Sequence, residues 1–191
     1  MEICLVVLLF IPYLFLKYYL TDHDTKAEKD LVRFAEGIWL MSENRFEEAF
    51  RYFDESVKAN PKSAVAYAYR GKCNLHDENY FSAIYDISQA LSFDNTLSDC
   101  YLDKGKAHYA LQEFEEAFRE FDKAVWFFRN QNPYALRMRG LARLRIDQFT
   151  QSERDLQRAA ELGDEDSVLI LSQSPFSVDL AKPLREPTSR R

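Results

Sequence analysis

The chain has little of what most catalytic and metal chemistry requires. Its 191 residues include three histidines, three cysteines and five glycines. His23, His76 and His108 lie far apart and fit no metal-ligand spacing. There is no C-x-x-C, no H-E-x-x-H, no glycine-rich phosphate loop and no G-x-S-x-G turn. Neither a catalytic residue, nor a cofactor, nor a metal site is expected, and the chain reads as something other than an enzyme. A net charge of −6 leaves it without the basic face of a general nucleic-acid binder. The cysteines supply no disulfide framework. Cys4 falls in an apolar run, while Cys73 and Cys100 read as small buried hydrophobes.

The scarce glycines are themselves ordered. Gly37, Gly71, Gly105 and Gly140 follow one another at 34, 34 and 35 residues. Nine residues after each comes an aromatic: Phe46, Tyr80, Phe114 and Phe149. Small residues follow at Ala49, Ala83, Ala117 and Ser152, large ones at Phe53, Ile87, Phe121 and Leu156, and small ones again at Ser56, Ala90, Ala124 and Ala159. The last three steps, of 3, 4 and 3 residues, keep all four positions on one helical face. Alternating large and small residues there suits close helix-on-helix packing. A glycine inside a helix costs about 1 kcal/mol against alanine. Its return at one register implies that a bulkier side chain would hold two helices apart.

A period of 34 residues with these marks resembles the tetratricopeptide repeat family, whose unit is a helix–turn–helix. With Gly37 at repeat position 8, the units run over 30–63, 64–97, 98–132 and 133–166. The usual proline at position 32 occurs only as Pro61, and the third unit carries one extra residue near Asn130–Pro133. Residues 167–174, with Val168, Ile170 and Leu171, are expected to form a short helix capping the stack before Pro175. The fold the resemblance implies is all-α, a right-handed α-solenoid of four units plus the cap.

The resemblance also implies a concave peptide groove lined by positions 2, 5, 9 and 12. In the first two units these are Leu31, Phe34, Ile38, Met41, Val65, Ala68, Lys72 and Leu75. In the last two they are Asp99, Leu102, Lys106, Tyr109, Tyr134, Arg137, Leu141 and Leu144. A solvent-facing stripe is normally polar; this one is mostly apolar and aromatic, as interaction sites are. The expected partner is another protein, its peptide or helix held in the groove. The protein's own segments, or a second copy, are alternative occupants. Relatives that grip the C-terminal carboxylate of heat-shock chaperones place Lys, Asn, Asn, Lys and Arg at set positions. Here one register offers Phe34, Ile38, Tyr69, Asp99 and Asp103, and the next Ala68, Lys72, Asp103, Tyr134 and Met138. Aspartates repel a carboxylate, so that ligand is disfavoured.

Outside the repeats, Ile3–Leu20 is apolar except for Pro12 and Lys17, about the length that spans a bilayer. A cleaved signal peptide and a buried helix are the alternatives. Glu2 before the run and Tyr-Tyr-Leu-Thr-Asp after it favour a transmembrane anchor over residues 1–20. Lys17 near its C-terminal end and Lys26, Lys29 and Arg33 beyond it, with no Lys or Arg before it, place the repeats in the cytoplasm. Residues 21–29 form a polar linker. Residues 175–191, with Pro175, Pro183 and Pro187, read as a disordered tail. The acidic pairs Glu47–Glu48 and Glu115–Glu116 sit where they complement a helix dipole. Arg137, Arg139, Arg143, Arg145, Arg154 and Arg158 read as solvated helix surface, diluted by acids.

The expectation that emerges is a membrane-anchored adaptor or scaffold for protein–protein interaction. A constitutive structural subunit of a larger membrane complex is the alternative.

Overall fold

The computed structural model describes residues 32–173 together with Tyr13 and Lys29. The proposed anchor, most of the linker, Asp30, Leu31, Ser174 and the tail lie outside the described residues. Among the described residues no helix is long and apolar enough to cross a membrane. The chain divides into two units, residues 1–36 and 37–191. In the first, Phe34 is buried and Val32 is exposed.

Nine helices and no strand occur among the described residues. They are α1 (Ala35–Ser42), α2 (Phe46–Ala59), α3 (Ala64–His76), α4 (Tyr80–Phe93), α5 (Ser98–Ala110), α6 (Phe114–Phe127), α7 (Pro133–Arg145), α8 (Phe149–Glu161) and α9 (Glu165–Leu171). From α2 onward each helix packs on the next, and α3, α5 and α7 also touch in succession. This is the helical-repeat solenoid of tetratricopeptide type, in which α3, α5 and α7 share one face.

The four glycines face large residues sixteen positions later on the following helix. A Cβ built at Gly37 would lie 2.5 Å from Phe53, at Gly71 2.8 Å from Ile87, at Gly105 2.5 Å from Phe121, and at Gly140 3.1 Å from Leu156. Phe53, Ile87, Phe121 and Leu156 are fully buried, as are Ala49, Ala83 and Ala117 and the later Ala90, Ala124 and Ala159. The alanines let the helices approach, and the large side chains fill the seam left open above each glycine. In the fourth unit Ser152 stands at the alanine register and donates to the Gly140 carbonyl at 2.7 Å, so its buried hydroxyl is satisfied.

The turns repeat too. Asn44, Glu78, Gln112 and Asp147 occupy the same register and all have positive φ, between 59° and 62°. The extra residue of the third unit falls where Arg129 and Asn130 adopt two consecutive left-handed conformations. Ser63, Asn132 and Asp164 cap α3, α7 and α9 by accepting from the amides of Ala66, Ala135 and Ser167. The terminal helix begins at Glu165 rather than at 167, because Asp164 supplies that cap.

Gly105→Ala is expected to destabilise the fold by ~1–3 kcal/mol through overpacking against Phe121. Gly140→Ala, with more room, should cost less. Urea unfolding followed by circular dichroism measures both, and equal or increased stability for Gly105→Ala would contradict the contact as limiting.

Candidate functional site

The groove side chains fall into three groups. Ala68 and Leu102 are buried in the packing between helices, so neither offers its side chain to a ligand. Phe34 is likewise only 3 % exposed, and Leu31 lies outside the described residues. Ile38, Met41, Val65, Leu75, Tyr109, Leu141 and Leu144 are half-buried, and Asp99 and Tyr134 are exposed. Leu75 and Tyr109 pack at the margin of the core clusters. The available apolar stripe is therefore narrower than the register alone implies.

Charges run along that stripe. Lys72 on α3 reaches toward α5, with its Nζ 3.7 Å from Asp103 Oδ2 and 4.0 Å from Asp99. Lys106 donates to Asp103 Oδ1 at 2.8 Å. Its ammonium also lies 5.2 Å from the Tyr134 ring, and the Arg137 guanidinium lies 5.1 Å from the same ring. Arg137 in turn pairs with Asp164 at 3.3 Å and with Asp166, tying α7 to the terminal helix. Burial pulls the Lys72 ammonium down, but Asp103 and Asp99 outweigh it and hold its pKa above the usual lysine value. Asp103 is 6 % exposed, and its Oδ2 accepts no hydrogen bond among the described residues. A buried acceptor left unmade costs ~1–3 kcal/mol.

A second set of charges joins the units from behind the groove. Arg70 forks onto Asp86, with Nε donating at 2.9 Å and Nη2 at 2.6 Å, and its Nη1 donates to Asp54 at 2.7 Å. Arg139 repeats the arrangement onto Asp155, at 2.8 and 2.7 Å, and reaches Asp122 at 2.7 Å. Arg143 adds a further bond to Asp155 at 2.7 Å. Lys104 and Glu120 occupy the same register in the third unit, 3.6 Å apart. Arg137, Arg139 and Arg143 are thus mostly buried and paired, which corrects their reading as solvated surface. Hydrogen bonding to Asp86 raises the Arg70 pKa.

The spacing held the signal for this network. Arg70–Asp86, Lys104–Glu120 and Arg139–Asp155 are each sixteen residues apart, the separation that joins the glycines to their partners. Glu47 and Glu48 do sit in the first turn of α2, where they pair with Arg51 and Arg45.

Burial pushes the Cys73 and Cys100 thiols up to about 12, so both stay protonated at neutral pH. His76 stacks on Phe46 at 3.6 Å, and His108 Nδ1 lies 2.6 Å from Glu113. Among the described residues no group of three or more His, Cys, Asp or Glu is placed to hold a metal. On the opposite surface a depression of about 390 Å³ opens over Arg70, Asn74 and Asp86, walled by Phe50, Phe81 and Tyr85.

No family profile matches the chain. It is similar in sequence to the TPR repeat-containing thioredoxin TDX of Arabidopsis thaliana, 32% identical over 94 residues, which cover 49% of this chain and 23% of that protein. Its fold is that of MamA, with a TM-score of 0.62 at 19% identity, covering 69% of this chain and 77% of that one. The first TPR of Spaghetti (RPAP3), bound to the HSP90 peptide SRMEEVD, superposes with a TM-score of 0.57 at 21% identity, over 63% of this chain and 94% of that one. The chain spans about a quarter of the length of the curated relatives it matches. The repeat fold is of the tetratricopeptide type that these structures share.

Asp155→Ala would leave Arg139 and Arg143 buried and under-paired, and is expected to cost ~3–5 kcal/mol. Glu161→Ala, which breaks the exposed pair with Arg158, should change stability by under about 1 kcal/mol. Chemical denaturation of the two variants compares them directly, and equal losses would contradict the buried clamp.

Proposed function

We propose that this protein is a non-enzymatic adaptor that captures a peptide or helix of a partner protein on the face formed by α3, α5 and α7. The observation that carries the reading is the meeting, on that face, of half-buried Leu75, Tyr109, Leu141 and Leu144 with exposed Tyr134 and the under-satisfied Asp103. Apolar wells supply affinity and fixed charges supply register. The apolar run before the repeats anchors the chain in a membrane, with the repeats on the cytoplasmic side, as the basic flank supports.

An HSP90 peptide of the kind bound to the RPAP3 repeat is a poor fit. The matching positions here hold Ala68, Lys72, Asp103, Tyr134 and Met138, and Asp103 stands where an incoming carboxylate would need a neutral donor. A second reading has its own support. Phe81, Tyr85 and Trp126 are 74 %, 60 % and 72 % exposed on second helices, which suits a subunit packed permanently into a larger complex.

Affinity purification of the full chain from native membranes separates the two. Leu75→Ser with Tyr134→Ser is expected to lower partner recovery at least tenfold, while Phe81→Ser with Tyr85→Ser leaves it unchanged. The reverse pattern would overturn the groove and favour the constitutive subunit.

A further inference from the structure

We propose that Lys72, Asp103 and Lys106 form a reading point for the side-chain carboxamide of an Asn or Gln within an internal stretch of the partner peptide. The inference rests on the groove reading above and names what the groove selects.

Asp103 lies at the middle of the stripe, flanked on both sides by ammonium groups. Its Oδ1 accepts from Lys106 at 2.8 Å, whereas Oδ2 is buried, accepts no hydrogen bond among the described residues and has Lys72 Nζ at 3.7 Å, beyond bonding distance. Both lysine side chains are about 30 % exposed, and an ammonium carries three donors. The point therefore has one acceptor that is ion-paired with Lys72 but makes no hydrogen bond among the described residues, beside donors with capacity to spare. Reading at Oδ2 requires Lys72, itself about 30 % exposed, to move aside.

Charge decides what enters. A lysine or arginine would meet two ammonium groups within one side chain's reach. A carboxylate would meet Asp103, with Asp99 4.0 Å from Lys72 on the same side. A neutral group that both donates and accepts suffers neither repulsion. In an extended backbone every residue presents its own N–H and C=O to one side, so a main-chain contact here would carry no sequence selection. A carboxamide carries its oxygen and its NH₂ at one end, the first to accept from a lysine and the second to donate to Oδ2. Because the amide rejected by an apolar or charged groove is held here by both functions, its loss should be felt strongly.

The test uses the full chain in mild detergent and four arrays of ten-residue peptides with randomised Leu, Tyr and Ser flanks. Three arrays are N-acetylated and C-amidated, with a central Asn or Gln, Asp or Glu, or Lys or Arg. The fourth ends in a free Asp carboxylate. The Asn/Gln array is expected to bind at least tenfold above the others. Asp103→Asn keeps the shape but leaves the lysines uncompensated, so the Asp/Glu array should overtake it with helicity unchanged. Binding without an Asn/Gln preference, or a preference that survives Asp103→Asn, would overturn the reading point and leave the groove standing. Failure of every array to bind would overturn the groove as well.

Discussion

On each first helix a glycine lies against a large side chain sixteen residues further on, at a distance that would not admit a Cβ without displacement. That contact sets how close the two helices of a unit come, and thereby the angle at which the next unit can stack. The alanines of the second helix and the buried Phe53, Ile87, Phe121 and Leu156 are consequences of the same approach. So is the shared face of α3, α5 and α7, since their succession depends on units of constant thickness. The ion pairs of Arg70 and Arg139 use the same separation one position earlier and extend it to the preceding unit through Asp54 and Asp122. Packing and charge thus reinforce one register.

What could be read from the chain follows from how local each feature is. The glycine and alanine marks are steric requirements repeated at a fixed interval, so four copies display them openly. The charged register was equally periodic, but arginines and aspartates on helices usually face water, and only the fold brings Arg139 and Asp155 out of it. The register of the candidate stripe could be read, but the exposure of its side chains could not. Register places Ala68 and Leu102 on the concave stripe, yet neighbouring helices cover both. The positive φ shared by Glu78 and Gln112 had no signal at all, because neither residue favours that conformation.

The two sets of charges differ in how far their carboxylates are hydrogen-bonded. Behind the groove, Asp86 and Asp155 receive several donors each, although the Arg143 Nε beside Asp155 is buried without a hydrogen bond among the described residues. In the groove, Arg137 is engaged in holding α9 and Lys106 is shared with Tyr134, while one Asp103 oxygen has only the Lys72 ion pair and no hydrogen bond among the described residues. Complete networks stabilise and specify a fold. On the proposed reading, an incomplete one on the face of α3, α5 and α7 leaves a requirement that a partner meets.

The central claim is that partners engage the face of α3, α5 and α7. Site-specific photocrosslinking in living cells tests it most directly, with a benzophenone side chain replacing Leu75 on that face or Tyr85 on the opposite surface. The account predicts that the probe at Leu75 yields a discrete adduct with a partner protein and the probe at Tyr85 does not. Adducts formed from Tyr85 alone would contradict it.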